Sequence, residues 1–175
     1  LAKQQYPDRF VPGYCPDPAV GSATELFRAA HQMHGVRVCG EWKFHMCIDD
    51  PRCIELFRAA GDLGAPVVLH LDSPDMPGDD GQMISREQWY GGDSGNFERA
   101  MKACPQTNFI GHAPGVWRQI SGDADRVAMF RQQGTPQSGG RLFDWLNNYD
   151  NFYADLSAAS ALRTLKRDAN FTRNM

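Results

Sequence analysis

Two apolar runs end on histidine: residues 66–70 read Pro-Val-Val-Leu-His and residues 108–112 read Asn-Phe-Ile-Gly-His. Neutral imidazole is a common metal ligand. A histidine closing a buried strand carries its ring to the sheet's carboxyl end, where α/β enzymes build their sites. A third run, residues 36–41, closes on a carboxylate. Glu41, His70 and His112 therefore hold equivalent places in three successive strand–helix units. Two nitrogens and one oxygen in matching places form a donor set for a divalent cation. Zn²⁺ suits it foremost, with Mn²⁺ or Fe²⁺ as alternatives. The competing reading of Glu41 is an ion pair with Lys43 or Arg37 at the rim.

Other residues with chemical potential cluster near these strand ends. His45 follows the Glu41 run closely enough to act as an acid/base group or a substrate contact; the plainer reading is a surface histidine. Lys43 lies in the same stretch, within reach of a substrate. Trp117 and Arg118 follow His112 by one short turn, and an arginine there is suited to bidentate pairing with a substrate carboxylate. Trp89 and Tyr90 could form an apolar lid. Asp155 closes a fourth run and is placed to accept the second N–H of His112, as ligating histidines require; helix capping or a pair with Arg163 would explain it equally. His31 and His34 sit near a helix end, where imidazolium is favourable without any metal. Asp72, Asp75, Asp79 and Asp80 lack the spacing of a calcium loop and read as a solvated acidic segment.

The elements that position these groups follow one grammar. The hexapeptide Glu-Leu-Phe-Arg-Ala-Ala occurs at 25–30 and again at 55–60. Each copy reads as the middle of an amphipathic helix with Leu, Phe and the second Ala inward. Gly35 and Gly64 are placed to end those helices. Further helices are expected at 96–103, 141–147 and 160–173, and strands at about 9–14, 36–41, 66–71, 107–112 and 151–156. Strands such as Val67-Val68-Leu69 are apolar without alternation, which predicts cover on both faces. Alternating strands and helices mean an α/β fold with a parallel sheet. The long segments 71–95 and 113–140 both follow strands, so they cover the carboxyl end of the sheet.

The 175 residues suffice for a single domain, 1–175. A net charge of −3 with scattered Lys and Arg gives no nucleic-acid surface, and no apolar run spans a membrane. The partner expected is a small-molecule substrate, with a homo-oligomer left open. The compartment is also open, cytoplasmic or periplasmic/secreted. The cysteines, Cys15, Cys39, Cys47, Cys53 and Cys104, are odd in number and contain no C-x-x-C pair, against a zinc ribbon. Cys39 and Cys104 read as core residues. A local Cys47–Cys53 disulfide would require an oxidising compartment.

Gly40-Glu41, Pro66–His70 as spelled above, Phe109-Ile110-Gly111-His112-Ala113-Pro114-Gly115 and Phe152-Tyr153-Ala154-Asp155-Leu156-Ser157 resemble the amidohydrolase superfamily, in particular its amidohydrolase 2 branch. That resemblance implies a (β/α)8 TIM-barrel fold with one or two divalent metals at its mouth. It implies metal ligation by His70 (strand 5) and His112 (strand 6). Glu41 on strand 4 would bridge two metals or hydrogen-bond a ligand. Asp155 would fall on strand 7. The family's His-x-His and its strand-8 Asp have no counterpart here. The expectation is an incomplete barrel, an internal fragment lacking strands 1, 2 and 8, with Asp155 the only acid at a comparable strand end. The implied activity is metal-dependent hydrolysis of C–N or C–O bonds through a metal-activated water. A metal-dependent decarboxylase of the same fold, or a non-catalytic barrel fragment, stands as the alternative.

Overall fold

The computed structural model describes residues 2–78, 80–127 and 132–175. In chain order its strands are β1 (Gly13–Tyr14), β2 (Val38–Trp42), β3 (Val67–His70), β4 (Asp75–Pro77), β5 (Met83–Ser85), β6 (Phe109–His112) and β7 (Phe152–Ala154). The helices are α1 (Ala2–Gln5), α2 (Ala23–His34), α3 (Pro51–Asp62), α4 (Ser94–Ala103), α5 (Pro114–Trp117), α6 (Arg141–Asn148), α7 (Ala159–Leu165) and α8 (Ala169–Arg173). A 3-10 turn, Arg118–Ile120, extends α5. Five strands make one sheet in the order β1-β2-β3-β6-β7, with every pair parallel. Each crossover from β1 to β2, β2 to β3 and β6 to β7 carries a helix, as parallel pairing demands.

Local chemistry sets the element ends. Gly35 takes a left-handed φ of 66° and closes α2. Asp50 accepts the Arg52 N–H, and Pro51 supplies the first turn of α3 without needing a donor. Asp93 and Asn96 form a reciprocal capping box that starts α4. Buried Asn151 donates its amide to the carbonyls of Met101, Cys104 and Thr107, which pins the start of β7 against the end of α4.

The core lies between the sheet and its helices. Phe57 packs edge-on to Phe109 with centroids 5.6 Å apart, and Phe97 meets Trp145 at 5.2 Å and Phe152 at 5.7 Å. The two hexapeptide copies differ here. Leu56, Phe57 and Ala60 are fully buried, while of the first copy only Phe27 is, and Leu26 stays 43% exposed. The second copy lies on α3, which packs against α2, whereas Leu26 lies on a face of α2 that stays exposed.

Several expectations are corrected. The strands are not covered on both faces: β3 and β6 alternate buried and half-buried residues. Val67, Leu69 and Phe109 face the helices, whereas Val68 and Ile110 line an inner face that five strands do not close. The strand at 9–14 shrinks to Gly13–Tyr14, because Pro12 has no N–H for a further rung. The helix at 160–173 is broken into α7 and α8, with Asp168 capping α8 through the Asn170 and Phe171 N–H groups. The segment 71–95 holds an unforeseen antiparallel hairpin, β4–β5. All five cysteines are free, so no Cys47–Cys53 disulfide forms. Asp79 of the acidic segment lies outside the described residues.

Candidate metal centre

Strand register brings the two histidines together. In the β3–β6 pair, Val67 matches Phe109 and His70 matches His112. Parallel partners in register point the same way, and the imidazole centroids stand 5.6 Å apart. Both rings lie on the open inner face, at the carboxyl ends of their strands.

Glu41 reaches them through a bulge. Cys39 pairs with Val67 and Trp42 with Leu69, so Gly40 and Glu41 together oppose Val68 alone. The extra residue turns Glu41 toward the histidines while Cys39 and Trp42 remain buried. Only glycine fits at position 40: a Cβ there would lie 2.8 Å from Val68 Cβ and 2.9 Å from its carbonyl oxygen. Glu41 Oε1 accepts from His70 Nδ1 at 2.5 Å and lies 3.7 Å from His112 Nε2. The donor atoms of Glu41, His70 and His112 fall within 4.8 Å of one another. Neither rim partner considered for Glu41 takes it: Lys43 Nζ sits over the Tyr90 ring at 4.9 Å, and Arg37 donates to the His31 and Val36 carbonyls.

Asp155 follows β7, and its N–H donates to the Gly111 carbonyl at 2.9 Å. That rung sets its carboxylate beside His112, whose Nδ1–H donates to Oδ2 at 2.5 Å. Ser157 adds its hydroxyl to Oδ2 at 2.6 Å and its N–H to Oδ1. Burial alone would raise the Asp155 pKa, but the hydrogen bonds from Ser157 and His112 outweigh it and hold the carboxyl below its ordinary value. With Nδ1 carrying the proton, His112 turns the lone pair of Nε2 toward Glu41. Burial lowers the His70 pKa, against the opposing hydrogen bond that Nδ1–H donates to Glu41, and so favours the neutral ring. Neutral imidazoles and a carboxylate fit Zn²⁺, Mn²⁺ or Fe²⁺.

A cavity of about 520 Å³ opens against His70 and His112. Trp117 and Arg118 line it, both buried, and the Trp117 indole N–H donates to the Asp155 carbonyl at 2.8 Å. Lys43 and His45 are not on its wall. The exposed His45 ring packs edge-on to Trp89, 4.3 Å between centroids, and Tyr90 packs on His70. Sequence reasoning missed Ser157, Ser160 and Arg167 and named Arg163 only as an alternative partner of Asp155; Ser160, Arg163 and Arg167 line the cavity. Asp155-Leu156-Ser157 carried a legible signal for Ser157, since Asp and Ser two residues apart commonly bond to each other in a turn. Residues 160, 163 and 167 carried none beyond helical spacing.

No family model matches the chain, and no curated protein does. Solved structures do. One is 5-carboxyvanillate decarboxylase from Sphingomonas paucimobilis, 18% identical, with a TM-score of 0.50 over 98% of this chain and 56% of that one. Another is 2,6-dihydroxybenzoate decarboxylase from Rhizobium, 18% identical, with a TM-score of 0.47 over 94% of this chain and 58% of that one. The latter enzyme complexed with 2,6-dihydroxybenzoate gives 0.48. The fold is an incomplete TIM barrel. The chain spans less than three-fifths of the length of these structures. Among the described residues, no helix is long and apolar enough to cross a membrane.

Proposed function

We propose that this chain carries the central part of a divalent-metal-dependent decarboxylase site for a small organic acid. The observation that carries the reading is the convergence of Glu41, His70 and His112 within 4.8 Å at the carboxyl end of the barrel strands. These three residues would hold the cation, with Asp155 orienting His112. When bound, the cation supplies Lewis acidity, polarising a carboxyl or carbonyl oxygen. Buried Trp117 keeps water from the inner wall of the cavity. The arginines lining it suit an anionic substrate better than a neutral ester or amide, which favours decarboxylation over the hydrolysis that the sequence first suggests. The activity named for the Sphingomonas paucimobilis fold neighbour agrees with that choice.

The test uses the full-length protein. Zinc- or manganese-loaded enzyme is assayed for CO₂ release across a panel of aromatic carboxylic acids, and in parallel for cleavage of esters and amides. CO₂ release that chelation abolishes and metal restores is the expected result. Ester or amide cleavage without CO₂ release would return the site to hydrolysis. Failure to bind metal would refute both.

A further inference from the structure

The two histidines of the centre are held unequally. His112 donates Nδ1–H to Asp155, a carboxylate that the hydroxyl and N–H of Ser157 fix in turn. His70 donates Nδ1–H to Glu41, a longer side chain left 41% exposed. An exposed glutamate is a poor anchor, because holding it still costs rotamer freedom. Glu41 is also a candidate ligand itself. The His70 ring therefore depends on a second support.

Tyr90 stands where that support is needed. Its ring meets the His70 imidazole nearly at right angles, with planes at 81° and centroids 5.5 Å apart. Lys43 Nζ lies over the same ring, 4.9 Å from its centroid. The backbone beneath is fastened on two sides. Tyr90 and Asp72 exchange N–H···O bonds, both of 2.8 Å. Gly91 accepts from the Ile48 N–H and donates to the Met46 carbonyl. These rungs tie residues 90–91 to the chain just past β2 and just past β3. Gly91 has a φ of 84°, and a Cβ there would lie 3.1 Å from the Ile48 side chain and 3.2 Å from that of Leu71, so this close approach requires glycine.

We propose that Tyr90, held by Lys43 and by this strap, is the positioning residue that fixes the plane of the His70 ring for metal binding. This rests on the reading of Glu41, His70 and His112 as a metal centre. It makes Lys43 the support of an aromatic ring rather than a substrate contact. The torsion that turns an imidazole about its Cβ–Cγ bond is broad. An unsupported ring swings its nitrogens away from the cation, and the Tyr90 contact removes that freedom before the metal arrives. The effect of Lys43 has a telling sign. As a bare positive charge it would repel the cation, so its removal would tighten binding; as the support of Tyr90, its removal weakens binding.

Calorimetric titration of the full-length protein with zinc tests this. Tyr90→Leu should bind zinc roughly three- to tenfold more weakly, the worth of one aromatic edge contact. Tyr90→Phe keeps the ring and should match wild type. Lys43→Met, measured in about 0.5 M salt to screen the repulsion, should weaken binding about two- to fivefold, and Lys43→Arg should restore it. The visible absorption bands of cobalt-loaded protein report ligand geometry. They should move in Tyr90→Leu and stay in place in Tyr90→Phe, whereas a merely structural tyrosine would lower the melting temperature without moving them. Wild-type zinc affinity in Tyr90→Leu overturns the proposal, as does unchanged or tighter binding in Lys43→Met. Should Tyr90→Leu fail to fold, the exposed Lys43 position decides. A wild-type protein that binds no zinc is a different result, which overturns the metal centre itself and this proposal with it.

Discussion

Asp155→Asn is the sharpest probe of the metal centre. The carboxylate accepts from His112 Nδ1 at 2.5 Å and from Ser157 Oγ at 2.6 Å. Asparagine keeps the shape and loses the charge, and its amide can turn an N–H toward Nδ1. That reverses the tautomer and places the ring proton on Nε2, the nitrogen 3.7 Å from Glu41. Loss of such a supporting carboxylate lowers metal affinity roughly 10- to 100-fold, equal to about 1.4 to 2.8 kcal/mol. Competition against a chromogenic chelator measures this directly. The same variant carries an acid signature. Asp155 has a depressed pKa in the fold, so its contribution is full above the unfolded carboxylate value of about 3.9 and is lost as pH falls through the lower folded value. Urea unfolding between pH 5 and pH 2 should therefore show less acid sensitivity in Asp155→Asn than in wild type. Wild-type zinc affinity in the variant would refute the role given to Asp155 and, with it, ligation through His112 Nε2.

Two further outcomes test the scaffold. Gly40→Ala should cost about 1–3 kcal/mol in urea unfolding, because its Cβ meets β3 backbone 2.9 Å away and no rotamer relieves that; zinc affinity should fall with it, and unchanged stability would refute the bulge. Asp50→Ala should cost ~1 kcal/mol through loss of the α3 N-cap. The Arg52 guanidinium holds the Asp50 carboxyl at about 2, so the wild-type advantage should persist at pH 5 and vanish toward pH 2; a difference independent of pH would sink the ion-pair account.

The sheet and half of the site could be read from residue order because they rest on strong local signals. Apolar runs closing on His70 and His112 mark both the strands and their shared register, and Asp155 repeats the pattern. The rest depends on events between strands. Nothing near Gly40 announces that two residues of β2 will face one of β3, although that is what aims Glu41. The β4–β5 hairpin is short and built of Asp, Met, Pro, Ile and Ser, without a period-two apolar pattern to betray it. Lys166, Arg167 and Asp168 hide a helix break inside a helical composition. Ser160 reads as ordinary helix surface and Arg163 as an alternative partner for Asp155, and their placement on a cavity comes from the packing of α7 on α5.

The matched register of β3 and β6 has a consequence for how such a site could change over time. The spacing of the two imidazoles is fixed by main-chain rungs that run the length of both strands. That ladder ends where the Leu71 N–H donates to the His112 carbonyl and the Gly115 N–H to the Leu71 carbonyl; beyond them the segments 72–95 and 116–140 add, among the described residues, no rung between the two strands. Tyr90 apart, they can lengthen, shorten or exchange side chains, and so accept new substrates, without disturbing the pair of nitrogens on which the chemistry would rest.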